Sequence, residues 1–431
     1  MEVFKTIFII VILGLFTQQA AAQEGISENN NGSIYSLFGV GQPYDNSTAR
    51  EMGLGILGVS LDNMQSNTLQ NPAMWGKNLY STASSGFKLS QFTAEDQSTE
   101  NVNALLETGY LQFTFPLYNQ KLGISAALYP VTKSNFRLFS STTVYPSDED
   151  TVNYISDVNG SGGVNKFEVG LGWNINKNIA VGYAPSLAFI THNNTETTFF
   201  EQSGYSTNNL DRKITGFTFA QRFGTLLNFR SLLNNDDRLS IGAAVSLPIE
   251  FEAKREVSVI KEVNNQEQEV QISDPVEGNI KLPVELNAGL TYYPSNFVNV
   301  SFEGQLQQWS NFESDLTPLD ANVKMSDRHR FGLGIEYHPY RLNSDKFLSR
   351  FRYSGGVSYD SGHLTIENHD VDTYWMSAGL GILSRSPSSI DLSFQYGLRG
   401  ASSNILVREK IWALSLSVNL TERMFVRPKF D

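Results

Sequence analysis

The 431-residue chain contains no cysteine. That excludes a disulfide framework, thiol catalysis, cysteine-ligated metal sites and a lipid anchor on a processed N-terminal cysteine. Histidine is scarce: His192, His329, His338, His363 and His369 are all there are. A hydrolase would need serine, histidine and carboxylate to converge. Only the turn around Ser361 and His363, with Asp360 and Asp370 nearby, offers those types, and adjacent serine and histidine on a turn are ordinarily solvated loop residues. His363 and His369 with Asp370 could bind a metal only weakly, because their spacing is nonspecific. We therefore expect no catalysis, metal or cofactor. Basic residues are outnumbered, 32 Lys and Arg against 44 Asp and Glu, and the net charge of −12 argues against a nucleic-acid partner. After residue 22 no apolar run approaches the roughly 20 residues a membrane helix requires. The Gly332/Gly334 and Gly379/Gly381 pairs open no helix, so they do not read as phosphate loops; they leave room inside a barrel or let strands bend.

What is present points elsewhere. Lys5, the apolar run Ile7 to Phe16 and Ala20-Ala21-Ala22 form the three parts of a secretory signal, with cleavage expected near Ala22. The mature chain begins with an N-terminal extension and plug over 23–76: Gln23 to Gly32 is polar, and from about Ser33 to Gly76 the pattern is irregular and glycine-rich. From about residue 77 to 420 the pattern changes to period two. Phe167, Val169, Leu171, Trp173 and Ile175 alternate with Glu168, Gly170, Gly172 and Asn174, and Ile390, Leu392, Phe394, Tyr396 and Leu398 alternate with Asp391, Ser393, Gln395, Gly397 and Arg399. Such alternation gives a strand one apolar and one polar or small face. Many segments run 9 to 13 residues, longer than a soluble strand and suited to a tilted membrane strand. About fourteen can be counted, and very short connections such as Asn119-Gln120 and Lys177 alternate with long polar gaps at 132–162, 191–213 and 251–280. Short turns against long external loops mark an outer-membrane barrel, and an even strand number puts both ends on the periplasmic side. The expectation is an all-β chain: a transmembrane antiparallel β-barrel of about fourteen strands with an N-terminal plug, in the outer membrane of a Gram-negative cell. Residues 421–431 read as a periplasmic tail. The 28 Phe and 18 Tyr suit aromatic girdles.

The segment before the strands carries a resemblance. Gly53-Leu-Gly-Ile-Leu-Gly58 followed by Asn71-Pro72-Ala73 resembles the hatch of the FadL-like family of long-chain fatty acid transporters, which places Asn-Pro-Ala just before its first strand. Leu282-Pro283, then Trp309, Ser310 and Phe312, match a later strand pair of that family, and Ser33 to Gly39 look like members from Bacteroidota. The resemblance implies a fourteen-stranded barrel with a periplasm-side plug. It also implies a hydrophobic ligand that enters from the cell surface and leaves sideways through a kink in the third strand. Pro130, at the far end of our third strand, marks either such a kink or an ordinary strand end. A departure is the chain's end, which runs past the last strand instead of closing on an aromatic residue.

Strand parity puts Glu168, Arg222, Glu285, Glu303, Glu336, Arg352, Asp391 and Arg399 on the polar faces, because Arg or Lys facing lipid would cost about 2–4 kcal/mol at mid-membrane. They read as a polar network lining a path or as ion pairs holding a filled barrel rigid. Phe199 and Phe200, in a polar gap, either rim a hydrophobic mouth or pack beneath a loop. Two functions follow. One is a channel for hydrophobic small molecules, with membrane lipid and a fatty-acid-like ligand as partners. The other is a non-transporting scaffold with an outer-membrane or periplasmic protein partner, such as a secretion or assembly complex, to which the tail and polar inner faces lean.

Overall fold

The computed structural model describes residues 31–62, 68–95, 100–118, 120–144, 152–200, 207–263, 266–339, 347–383, 388–401 and 406–422. Residues 1–30, which include the expected signal sequence, and residues 423–431 of the expected tail lie outside these.

Fourteen antiparallel strands close on themselves. In chain order they are β1 Ser81–Glu95, β2 Glu100–Tyr118, β3 Leu122–Val144, β4 Val152–Asn174, β5 Ile179–Phe200 and β6 Asn208–Arg230. β7 comprises Arg238–Ser246 and Ile249–Val263, and β8 comprises Gln266–Gln271, Val276–Leu282 and Glu285–Ser295. β9 Val298–Gln307, β10 Arg328–Tyr337, β11 Phe351–Asp360, β12 Thr373–Leu383, β13 Ser389–Arg399 and β14 Arg408–Glu422 complete the wall. The ring closes where β1 pairs β14 from Ser81↔Glu422 to Glu95↔Arg408. Closure matters because an open sheet edge facing hydrocarbon would leave backbone groups unpaired. β10 shows the two faces most plainly: Arg328, Arg330 and Glu336 point inward and are buried, while Phe331, Leu333, Ile335 and Tyr337 point out to lipid.

The fourteen expected segments are all present, and many of them run longer than expected. Among the described residues the long polar gaps are mostly strand. β3 to β6 run 22 or 23 residues each and stay in cross-strand register almost to their tips, as in Val144↔Val152 and Thr198↔Asn208. Above the hydrocarbon both faces of a strand are wet, so the apolar alternation stops while the ladder continues. At the other end β14 extends to Glu422, so Thr421 and Glu422 belong to the wall.

The N-terminal segment fills the barrel. Its contacts along β14 fix its direction: Ser33 meets Glu409 near the outer end, and the Ala49 amide donates to Ser417 further down. A short helix, α1 (Ala49–Gly53), is started by a capping box between Thr48 and Glu51. The segment ends in a 3-10 turn, Pro72–Lys77, at the periplasmic end. The expected periplasm-side plug therefore reaches the outer mouth as well. Small lumenal residues make this possible. A Cβ on Gly332 would lie 2.1 Å from the Gly55 carbonyl oxygen, and one on Gly334 2.3 Å from that of Leu54.

The outer half of the lumen has an apolar core. β7 breaks at Leu247-Pro248 and β8 at Pro283-Val284, side by side, where proline cannot join a ladder. Beyond the break Ile249 and Phe251 turn inward and pack with Val40 of the plug, Ile280, Leu282, Trp309 and Leu316. Each such burial is worth roughly 1.5–3 kcal/mol.

Candidate functional site

The wall has a defect between β2 and β3. These strands pair only over Leu111–Tyr118 with Leu122–Leu128. Above that level, among the strands of the wall, Glu100–Tyr110 pairs only with β1 and Pro130–Val144 only with β4. The divergence begins at Pro130, where the β3–β4 register shifts between Pro130↔Asn165 and Thr132↔Val164 and leaves Val131 as an extra residue. Pro130 thus sits at a bulge in the third strand.

The plug, not β2, takes up the freed edge of β3. Gln42 and Pro43 pair with Lys133 and Thr132. Tyr44 N donates to the Val131 carbonyl at 2.8 Å, Asn46 Nδ2 to that of Pro130 at 2.7 Å, and Gly32 N to that of Asn135 at 3.2 Å. Across the resulting slit Lys133 Nζ reaches Glu107 Oε1 at 2.9 Å and the Thr108 carbonyl at 3.3 Å.

Behind the slit, between plug and wall, lies a cavity of about 150 Å³. Its lining mixes the apolar Met52, Phe92, Leu105, Trp375 and Ile411 with five cations (Lys88, Lys133, Arg328, Arg330, Arg399) and three carboxylates (Asp45, Glu107, Asp360). Asp45 of the plug sits 2.9 Å from Arg328 and 2.8 Å from Arg330, and Arg328 also binds Asp360 at 2.5 Å. His363 faces the same space, its ring 5.1 Å from Trp309. Burial first, and Arg328 second, pull its pKa down to about 3, so it is neutral at physiological pH.

All eight charged residues placed inward by parity face the lumen, and each has a partner. Glu168 binds Arg222 and accepts from Tyr129 Oη at 2.9 Å. Glu285 accepts from Asn287 at 2.8 Å and Gln307 at 2.6 Å. Glu303 holds the plug directly, accepting the backbone N–H groups of Leu57, Gly58, Val59 and Ser60 at 2.6–3.1 Å and the Ser60 hydroxyl at 2.7 Å. Glu336 joins Arg50 of the plug at 2.6 Å to Arg352 at 3.3 Å, and Arg352 continues to Asp391 at 2.5 Å. Arg399 bonds Glu409 at 3.2 Å and Ser33 at 3.1 Å. Glu303 and Glu336, the latter braced by Arg352, therefore lock the plug to the wall beside α1.

Asn71, Pro72 and Ala73 pin the periplasmic end. Asn71 Oδ1 caps the turn by accepting from Ala73 N at 3.0 Å, and its Nδ2 donates to the Val59 and Thr225 carbonyls at 2.9 Å each. Phe199 and Phe200 do not sit in a loop. They end β5, on opposite faces as neighbours in a strand must, with Phe200 against Tyr154 and neither lining the cavity. Ser361 donates its hydroxyl to the Gly362 carbonyl and Asp360 is taken by Arg328, so no triad is assembled there. Sequence reasoning missed Tyr44, Asp45, Arg50, Glu107 and Lys133. Arg328 and Arg330 were accessible to it, because they share strand parity with Glu336.

On the lipid side of β10 to β13 lies a second concavity of about 390 Å³, an apolar groove formed by Phe331, Leu333, Val357, Tyr359, Tyr374, Met376, Tyr396 and Leu398.

A family model described as BamG matches residues 3–431. No curated protein matches the chain. Among solved structures, a Pseudomonas aeruginosa FadL homologue is similar at 11% identity and TM-score 0.59, covering 89% of this chain and 99% of its own. The CymD monoaromatic hydrocarbon channel is similar at 15% identity and TM-score 0.51, covering 90% and 100%. The Pseudomonas putida toluene transporter TodX is similar at 13% identity and TM-score 0.53, covering 89% and 99%. At these identities the likeness establishes the FadL-like outer-membrane barrel fold.

Proposed function

The chain belongs to the BamG family, and from that premise, together with its FadL-like barrel, we propose that it passes hydrophobic small molecules sideways through the slit between β2 and β3. One observation carries this reading: the wall opens beside a cavity while the lumen below is closed by the plug. A ligand captured at the outer mouth reaches the cavity, sheds its apolar part toward lipid through the slit, and never crosses the lock made by Glu303, Glu336 and Arg352. The chemistry is binding and release alone. Affinity comes from apolar burial at about 25 cal/mol per Å².

The test uses the absence of native cysteine. Glu107→Cys with Lys133→Cys can be bridged by a short bifunctional thiol reagent in intact Gram-negative cells. The expected result is that the unbridged protein admits a lipophilic fluorescent dye such as N-phenylnaphthylamine and the bridged protein does not. Equal dye uptake in both forms would sink the reading.

A second reading, a membrane scaffold, is favoured by one feature, the apolar groove on β10 to β13. Purification in mild detergent with mass spectrometry separates the two. A stoichiometric protein partner without bound ligand supports the scaffold.

A further inference from the structure

The slit is narrow where β2 and β3 first part, and the side chain that crosses it there belongs to Lys133. Its ammonium has three neighbours on two different bodies. On β2 it pairs with Glu107 at 2.9 Å and donates to the Thr108 carbonyl at 3.3 Å. On the plug it stands 4.1 Å from the centre of the Tyr44 ring. We infer that Lys133 is a latch that sets how often the slit admits a molecule, an inference that rests on the sideways route proposed above.

Three features make the assignment. The floor of the slit is fixed and the bar across it is not. Tyr44 is tied by its backbone to Val131, and the next residue, Asp45, is clamped by Arg328 and Arg330. Lys133, in contrast, holds β2 through a flexible four-carbon stem. Its ion pair is only partly buried, with the Lys133 and Glu107 side chains 22% and 14% exposed, and such pairs break readily in thermal motion. A released ammonium can snorkel outward to the headgroups while its stem stays on apolar surface. Opening therefore requires one side chain to swing, with no movement of plug or strands. The Thr108 carbonyl that the ammonium reaches belongs to the stretch of β2 that pairs on one side only, so the latch also gives one acceptor of that edge a donor.

The experiment reads access, not transport. Leu105, buried at the back of the slit, is changed to cysteine as the sole thiol, and its labelling by a lipophilic maleimide is timed in purified protein. Loss of one partly exposed ion pair and one cation–π contact should speed labelling roughly three- to thirtyfold in Lys133→Gln, while Lys133→Arg stays within about twofold of the parent. Raising the salt concentration should speed labelling in the parent and leave Lys133→Gln unchanged, a response that a purely structural lysine would not give. Heat-modifiability on a gel confirms that each variant is folded. Unchanged or slower labelling in folded Lys133→Gln, or a parent rate indifferent to salt, overturns the latch. If that happens while bridging positions 107 and 133 still blocks dye uptake, the slit remains the route and only the latch is lost. If bridging has no effect, the route itself has failed.

Discussion

Glu303 offers the sharpest test of how the plug is held. Its carboxylate is 1% exposed and accepts five hydrogen bonds from residues 57–60, four of them from backbone amides. Replacing it with leucine keeps the apolar volume and removes every acceptor. A buried donor left without a partner costs about 1–3 kcal/mol, so four amides set an upper bound of roughly 4–12 kcal/mol. Water penetration and small shifts will recover part of this. Breaking a buried charged contact from one side typically costs about 3–5 kcal/mol, and we adopt that range. If the loss falls on local opening of the plug, at about 1.36 kcal/mol per tenfold, amide exchange at Leu57 to Ser60 should accelerate roughly 150- to 5000-fold. Hydrogen exchange followed by mass spectrometry reads this directly, with strand β4 as the internal control. Protection at 57–60 equal to that of the parent would refute the claim that this carboxylate anchors the plug.

Other expectations follow from the same contacts. Arg50→Ala leaves Glu336 with Arg352 and Asn299 but removes the ion pair that ties α1 to the wall; a protease added from the periplasmic side should then cut the plug faster than in the parent. Gly356→Ala puts a methyl 1.9 Å from the Leu54 carbonyl oxygen, an overlap of backbone that no side-chain motion relieves, and should lower the yield of heat-modifiable barrel severely. His363 is held neutral, with its pKa at about 3 against an ordinary 6.5. Its contribution to stability is complete above pH 6.5 and is lost as pH falls through that window toward 3, at about 1.4 kcal/mol per pH unit. Urea unfolding at pH 7 and pH 5 should therefore show a smaller acid penalty, by about 2 kcal/mol, in His363→Gln than in the parent.

Much of this architecture was legible in the sequence, because a membrane strand must satisfy two solvents at once. The alternation at Phe167 to Ile175 and Ile390 to Arg399 identifies lipid and lumen faces without knowledge of neighbours, and parity alone placed eight charged side chains inward. The hatch tripeptide was readable because its geometry is local: Asn71 caps the turn that Pro72 begins. Contacts set by non-local pairing were not readable. Arg50 and Glu336 are 286 positions apart, and nothing in either segment names the other. The slit is a failure of β2 to pair with β3 beyond Leu128, and the sequence of β2 there, Glu100 to Thr108, looks like any strand. The height of β3 to β6 was hidden for a different reason, since a strand wet on both faces has the composition of a loop. Phe199 and Phe200 drew attention as apolar residues in such a stretch, and they proved to be the end of a strand that does not line the cavity.

The central claim is that a ligand moves past a plug that stays in place. Ala49 N lies 2.8 Å from Ser417 Oγ, so Ala49→Cys with Ser417→Cys can lock α1 to β14 by a disulfide. Dye uptake should be the same in the locked and reduced forms of this protein. Uptake that disappears on locking and returns on reduction would contradict the sideways route, because molecules would then be travelling through the lumen by displacing the plug.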